Sequence, residues 1–109
     1  MRIIEGKLEE ELLRIALLRS PHEAVGLILS NNEVIELPNH SSEANAQFEV
    51  HREDIVEALS GKDLLDIVFW HSHPSGGIGP SRVDIQQRTP FPHHLVIAID
   101  QGAIVSSWY

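Results

Sequence analysis

The chain has 109 residues, 42% of them hydrophobic, with 16 acidic residues against 8 basic ones and a net charge of −8. That length allows one domain around one modest core. The negative charge argues against nucleic acid, whose binding rests on neutralising phosphates, and against an acidic membrane surface, while it permits a basic partner. Cysteine is absent, which excludes disulfides and thiolate metal sites.

Arg2, Ile3 and Ile4 read as a short strand. A charge interrupts this N-terminal segment before a signal-peptide apolar region forms. No apolar run approaches the roughly 20 residues that span a bilayer, so the expected location is the cytoplasm. Residues 7–18 read as an amphipathic helix. Leu8, Leu12, Ile15 and Ala16 recur at helical spacing, Leu13 and Leu17 widen the stripe, and Glu9, Glu10 and Glu11 favour its N-terminal end. Ser20-Pro21 ends it.

Residues 24–29 and 33–37 flank the polar Asn31-Asn32 and read as a hairpin. A polar loop from Asn39 to Gln47 follows, and the alternation in residues 47–50 predicts a strand. Residues 54–59 read as a short helix with Ile55, Val56 and Leu59 inward and Gly61 as its stop. Residues 64–70 are rich in apolar, β-branched and aromatic side chains and predict a buried strand. Thr89-Pro90-Phe91-Pro92 is a rigid connector. Residues 94–100 and 103–108 close the sheet, turning at Gln101-Gly102. The expected architecture is mixed α+β: a central mixed sheet flanked by helices, one domain over residues 1–109, with no repeat or linker.

The segment HSHPSGGIGPSRVD, from His71 to Asp84, carries the chemistry. Side chains at i and i+2 leave the same face of a strand, with Cα atoms roughly 6.5–7 Å apart. His71 and His73 therefore emerge together, beside Ile67 and Phe69, while Val68, Trp70 and Ser72 face the other way. Pro74 stops the strand, and Gly76, Gly77 and Gly79 let the backbone fold back. A short helical segment then places Asp84 in its first turn. Two imidazoles and a carboxylate suit Zn²⁺ and leave a fourth position for water. The parts have plainer readings. Ser81 and Asp84 fit a helix capping box, and an isolated His-x-His pair suits ordinary surface histidines. His22, His40 and His51 read as solvated, Trp70 and Trp108 as core, and His93 and His94 as pointing to opposite faces.

The ordered series of paired histidines, Pro/Gly loop, Ser81 and Asp84 resembles the signature of the JAMM/MPN metalloproteases, or JAB domains. The resemblance covers nearly the whole chain and implies a cytidine deaminase-like architecture. It implies zinc held by His71, His73 and Asp84. It also makes Glu23, after the first helix and before an apolar strand, the residue that acts on the water at the zinc. From residues alone, Glu23 reads as an exposed residue at a helix–strand junction. Ser81 would stabilise the tetrahedral intermediate. The chain lacks room for the long insertions of eukaryotic deubiquitinating members and looks like the compact prokaryotic type.

The implied activity is hydrolysis of peptide or isopeptide bonds at the C-terminal tail of a ubiquitin-like or sulfur-carrier protein. The alternatives are a phage-tail assembly or processing peptidase, a catalytically silent MPN-like interaction module, and a RadC-like nucleic-acid role, against which the charge counts. The partner expected is a protein substrate, without nucleic acid or membrane. The oligomeric state is open.

Overall fold

The computed structural model describes residues 3–86 and 88–109. The elements in chain order are α1 (Gly6–Arg19), β1 (Val25–Ile28), β2 (Val34–Leu37), α2 (Arg52–Leu59), β3 (Val68–His73), α3 (Arg82–Gln86), β4 (His93–Asp100) and β5 (Ala103–Trp108). The strands form a five-stranded mixed sheet in the order β2-β1-β3-β4-β5. β3 and β4 are parallel, and the other pairs are antiparallel. The fold is mixed α+β, as the apolar patterns require. No helix among the described residues is long and apolar enough to cross a membrane.

Strand alternation divides the apolar side chains between two faces. On one, Ile28, Val68, Trp70, Leu95 and Ile97 pack against Leu8, Leu12, Ile15 and Ala16 of α1. On the other, Val25, Leu27, Ile67 and Phe69 are covered by Phe48, Ile55, Leu59 and Phe91. His71 and His73 share this second face with Phe69. The register places Val25 opposite His71 and Val96 beside it, so the histidine pair ends a strand at the centre of the sheet.

Several expected elements shift. Ile3 and Ile4 lie in no strand; Arg2 is outside the described residues. Leu17 is exposed rather than part of the buried stripe. Residues 47–50 form no strand, because their backbone groups bond the Asn39 side chain and His40: Asn39 Nδ2 donates to the Gln47 carbonyl, Glu49 N–H to Asn39 Oδ1, and His40 N–H to the Glu49 carbonyl. Phe48 and Val50 still pack on the second face, so the alternation reports burial without a ladder. α2 starts at Arg52, and Val56 faces solvent. β3 starts at Val68, after Asp66 turns the chain at φ 53°, which leaves Leu64 and Leu65 exposed. It runs through His73, so both histidines belong to the strand and Pro74 follows it directly.

Gly26 is required by space. A Cβ there would lie 2.1 Å from the Ile35 carbonyl oxygen and 2.9 Å from the Trp70 ring, whose Nε1–H donates to the Leu27 carbonyl at 3.3 Å. Gly26→Ala is expected to lower the unfolding free energy by at least about 1–3 kcal/mol, the range for overpacked cores. Urea unfolding checks this, and stability equal to wild type would contradict it.

Candidate metal centre

At the end of β3, the Nε2 atoms of His71 and His73 lie 3.2 Å apart. Each is 3.1 Å from Oδ2 of Asp84. Bonds of 2.0–2.1 Å in a tetrahedral zinc site give donor–donor edges of about 3.3–3.4 Å. The three donors are therefore almost at the separations one such ion requires. His71 is fully buried, and His73 keeps a small exposed edge.

The other ring nitrogens fix the orientation. His73 Nδ1 lies 2.9 Å from the Gly77 carbonyl; as donor there, it leaves Nε2 with a lone pair. Gly77 reaches this position through a loop with Gly76 at φ 86° and Gly79 at φ 80°, conformations that favour glycine. His71 Nδ1 lies 3.2 Å from the Tyr109 hydroxyl, and the Phe48 ring packs on His71 at 4.7 Å. Burial lowers the pKa of His71 against the opposing pull of Asp84, so the ring favours its neutral form. The hydrogen bond to Asp84 raises the pKa of His73.

Asp84 sits in the first turn of α3 and is held twice. Its Oδ2 accepts the Ser81 N–H at 2.8 Å, while its own N–H donates to Ser81 Oγ at 3.1 Å. The capping box and the converging donor set thus coexist on the same residues. Burial pushes the Asp84 carboxyl up, but its bonds to His71, His73 and Ser81 outweigh this and hold it far below the usual range. The cap leaves the hydroxyl hydrogen of Ser81 free to serve another acceptor.

Glu23 is not the exposed junction residue of the plain reading; it is 6% exposed. Its N–H donates to the Ala44 carbonyl at 2.7 Å, and its carbonyl accepts from Asn39 Nδ2 at 2.9 Å. The next residue is locked to β3: Ala24 N–H donates to Ser72 Oγ, and Ser72 N–H to the Ala24 carbonyl. This places a Glu23 carboxylate oxygen within 4.8 Å of a ring nitrogen of each of His71 and His73. Oε1 is buried and has no hydrogen-bond partner among the described residues. Burial, only partly offset by His73, pushes its pKa up to about 7.

All five residues expected from the sequence, Glu23, His71, His73, Ser81 and Asp84, therefore meet in one place. Tyr109 was not expected. It lies 38 residues from His71 in the chain, and only the register of β3, β4 and β5 brings it near. His93 and His94 do face opposite ways. His93 lies 3.8 Å from Asp66, while His94 is buried near Phe69 and Tyr109, with Nε2 facing Thr89 N and Oγ1 at 3.1 and 2.7 Å. Trp70 is fully buried, and Trp108 packs at the edge of the α1-side core.

Residues 6–109 match the family described as prokaryotic homologs of the JAB domain. The chain belongs to this family. A UPF0758 protein of Rubrobacter xylanophilus is 37% identical over 71 residues, which are 65% of this chain and 31% of that protein. The JAB chain thus covers about a third of that curated relative. The solution structure of a protein from Salinibacter ruber covers 95% of the JAB chain, and 78% of its own, at 15% identity and a TM-score of 0.53, which shows a shared fold.

The buried Glu23 of this JAB homologue has a measurable consequence. Its carboxyl keeps its proton up to about pH 7 in the folded chain, against an ordinary value of 4.5. Between those values the folded state binds more protons than the unfolded state, so this residue's contribution to stability falls as pH rises through the interval. In protein stripped with chelator, Glu23→Gln is expected to remove that part of the fall, making the variant more stable than wild type at pH 8 by up to a few kcal/mol. Parallel unfolding curves at pH 5 and 8 check this, and an equal pH dependence in both proteins would contradict it.

Proposed function

We propose that this JAB-domain chain is a zinc-dependent hydrolase of peptide or isopeptide bonds. The observation that carries the reading is the unpartnered, buried Oε1 of Glu23 beside three donors spaced for one tetrahedral ion. A buried carboxylate oxygen without a partner is rare and marks a position where a water or ion belongs. Two imidazoles and one carboxylate leave a coordination position open, the pattern of catalytic rather than structural sites. Zinc bound there would supply a Lewis acid and lower the pKa of water.

The chain's own residues divide the remaining work. Glu23 takes the proton of the attacking water and delivers it to the leaving amine, a role suited to a carboxyl that titrates near neutrality. The Ser81 hydroxyl donates to the oxygen that becomes negative at the tetrahedral stage. Gly77 and Tyr109 keep the two imidazoles oriented. Retention of all these groups favours an enzyme over a silent interaction module.

A cleft of about 420 Å³ lined by Arg19, Glu23, Leu37 and Asn39, among others, contains the base but none of the three ligands. It lies at the C-terminal end of β2, an edge strand of the sheet. Edge strands offer unpaired backbone groups to extended peptides, so an unfolded protein tail is the substrate form that suits it. The tail of a ubiquitin-like or sulfur-carrier protein is the substrate proposed, with the cytoplasm as the place of action and a phage-tail protein as the alternative.

Zinc is expected to stay bound to the purified protein through extensive dialysis, and His73→Ala to lose that tightly held ion. Tyr109→Phe is expected to bind zinc about 10–100-fold more weakly, the usual cost of losing a partner of a ligating histidine. Metal analysis and competition with a chromogenic chelator read both. Equal affinity in all three proteins would overturn the ligand assignment.

Glu23→Gln is expected to keep zinc and fold yet lose at least about 10²–10⁴-fold in turnover, the range for general acid–base catalysis. Ser81→Ala is expected to lose on the order of 10²-fold, as for one oxyanion donor, and about 1 kcal/mol of stability from the cap. Cleavage of a tail-fused reporter measures turnover, and near wild-type activity in Glu23→Gln would remove Glu23 from the mechanism.

A further inference from the structure

A second group of ligating side chains lies apart from the site on β3. His40, His51 and Asp54 each offer one ligand atom, and these atoms lie within 4.8 Å of one another. The two imidazoles stack with centroids 3.7 Å apart and planes 9° apart. His40 Nε2 donates to Asp54 Oδ2 at 2.8 Å, and His51 Nε2 to Glu49 Oε2 at 3.2 Å. Both histidines and Glu49 are exposed, and Asp54 is partly so.

We propose that His40, His51 and Asp54, with Glu49 in reach as a fourth donor, form a second and weaker site for a divalent transition-metal ion. Its occupation would fasten the loop that frames Glu23 and His71. Paired imidazoles beside carboxylates suit zinc and its neighbours, whereas magnesium and calcium take oxygen donors. The histidines are not ordinary scattered surface residues. Residues 40 and 51 bracket the segment 41–50, and the His40 N–H already donates to the Glu49 carbonyl at 2.8 Å.

Two contacts inside that segment reach the centre on β3. The Ala44 carbonyl accepts the Glu23 N–H at 2.7 Å, and the Phe48 ring packs on His71. The segment contains no strand or helix of its own, so a cross-link at its two ends removes freedom that regular structure does not. As stacked, both rings direct Nε2 to carboxylates. Sharing one ion requires the rings to splay about their side-chain bonds, which their exposure permits, and this makes the site weaker than the one on β3.

Zinc titration by equilibrium dialysis tests the proposal, with hydrogen exchange of the amides in 41–50 as a second readout. Wild type is expected to bind one weaker equivalent beyond the tightly held ion, and that equivalent to slow exchange across the loop. His40→Ala/His51→Ala is expected to lose the weaker equivalent alone, and Asp54→Asn to weaken it. His73→Ala is expected to keep the weaker equivalent while losing the tight one, so failure at either site is distinguishable from failure at the other. Circular dichroism confirms that each variant is folded. Zinc binding by the double histidine variant identical to wild type in number and affinity would overturn the proposal. So would loop exchange indifferent to the second equivalent.

Discussion

Two imidazole nitrogens and one carboxylate oxygen meet within 3.2 Å of one another at the end of β3, and much of the surrounding structure keeps them there. Crowding three polar groups into a largely dry space is costly unless each is bonded and charges are compensated. Asp84 meets this requirement by accepting from Ser81 while facing both rings. The rings meet it through Gly77 and Tyr109. Loss of any one partner leaves a buried polar group unmatched, so the constellation acts as a unit rather than as separable contacts.

Glu23 lacks this compensation. Its backbone is bonded at both ends and its neighbour Ala24 is tied to Ser72, yet Oε1 has no hydrogen-bond partner among the described residues. The fold therefore positions the side chain firmly while leaving its chemistry unsatisfied. Such residues lower stability, and they recur where a protein keeps a group poised for proton transfer. The scaffold around it is the counterweight: α1 and the apolar side chains of β1, β3 and β4 form a core that contains none of the three donors.

The fold was largely legible because the apolar periodicities of α1, β1, β4 and β5 agree with the tertiary arrangement. The three donor residues were legible because strand alternation and a Gly-rich return loop set their spacing locally. Elsewhere the local signal misled. The alternation through Phe48 and Val50 marked burial, but Asn39 took the backbone bonds a strand would have used. Leu64 and Leu65 are apolar yet exposed, and a positive φ at Asp66 delays β3. Glu23 carried no local signal of burial and was visible only through the family resemblance. Tyr109 carried none at all, because its contact with His71 depends on the register of three strands. His40 and His51 read as solvated, which they are, but their stacking depends on the path of the intervening loop.

In the proposed function, His71, His73 and Asp84 hold one zinc while Glu23 stands off as the base. A crystal structure of the zinc-loaded protein, with anomalous data at the zinc edge, tests it most directly. The expected result is a peak bonded to both Nε2 atoms and to Asp84 at about 2.0–2.2 Å, with a non-protein oxygen completing the shell and facing Glu23. Direct ligation by Glu23 in place of Asp84, or no ion at this position, would contradict it.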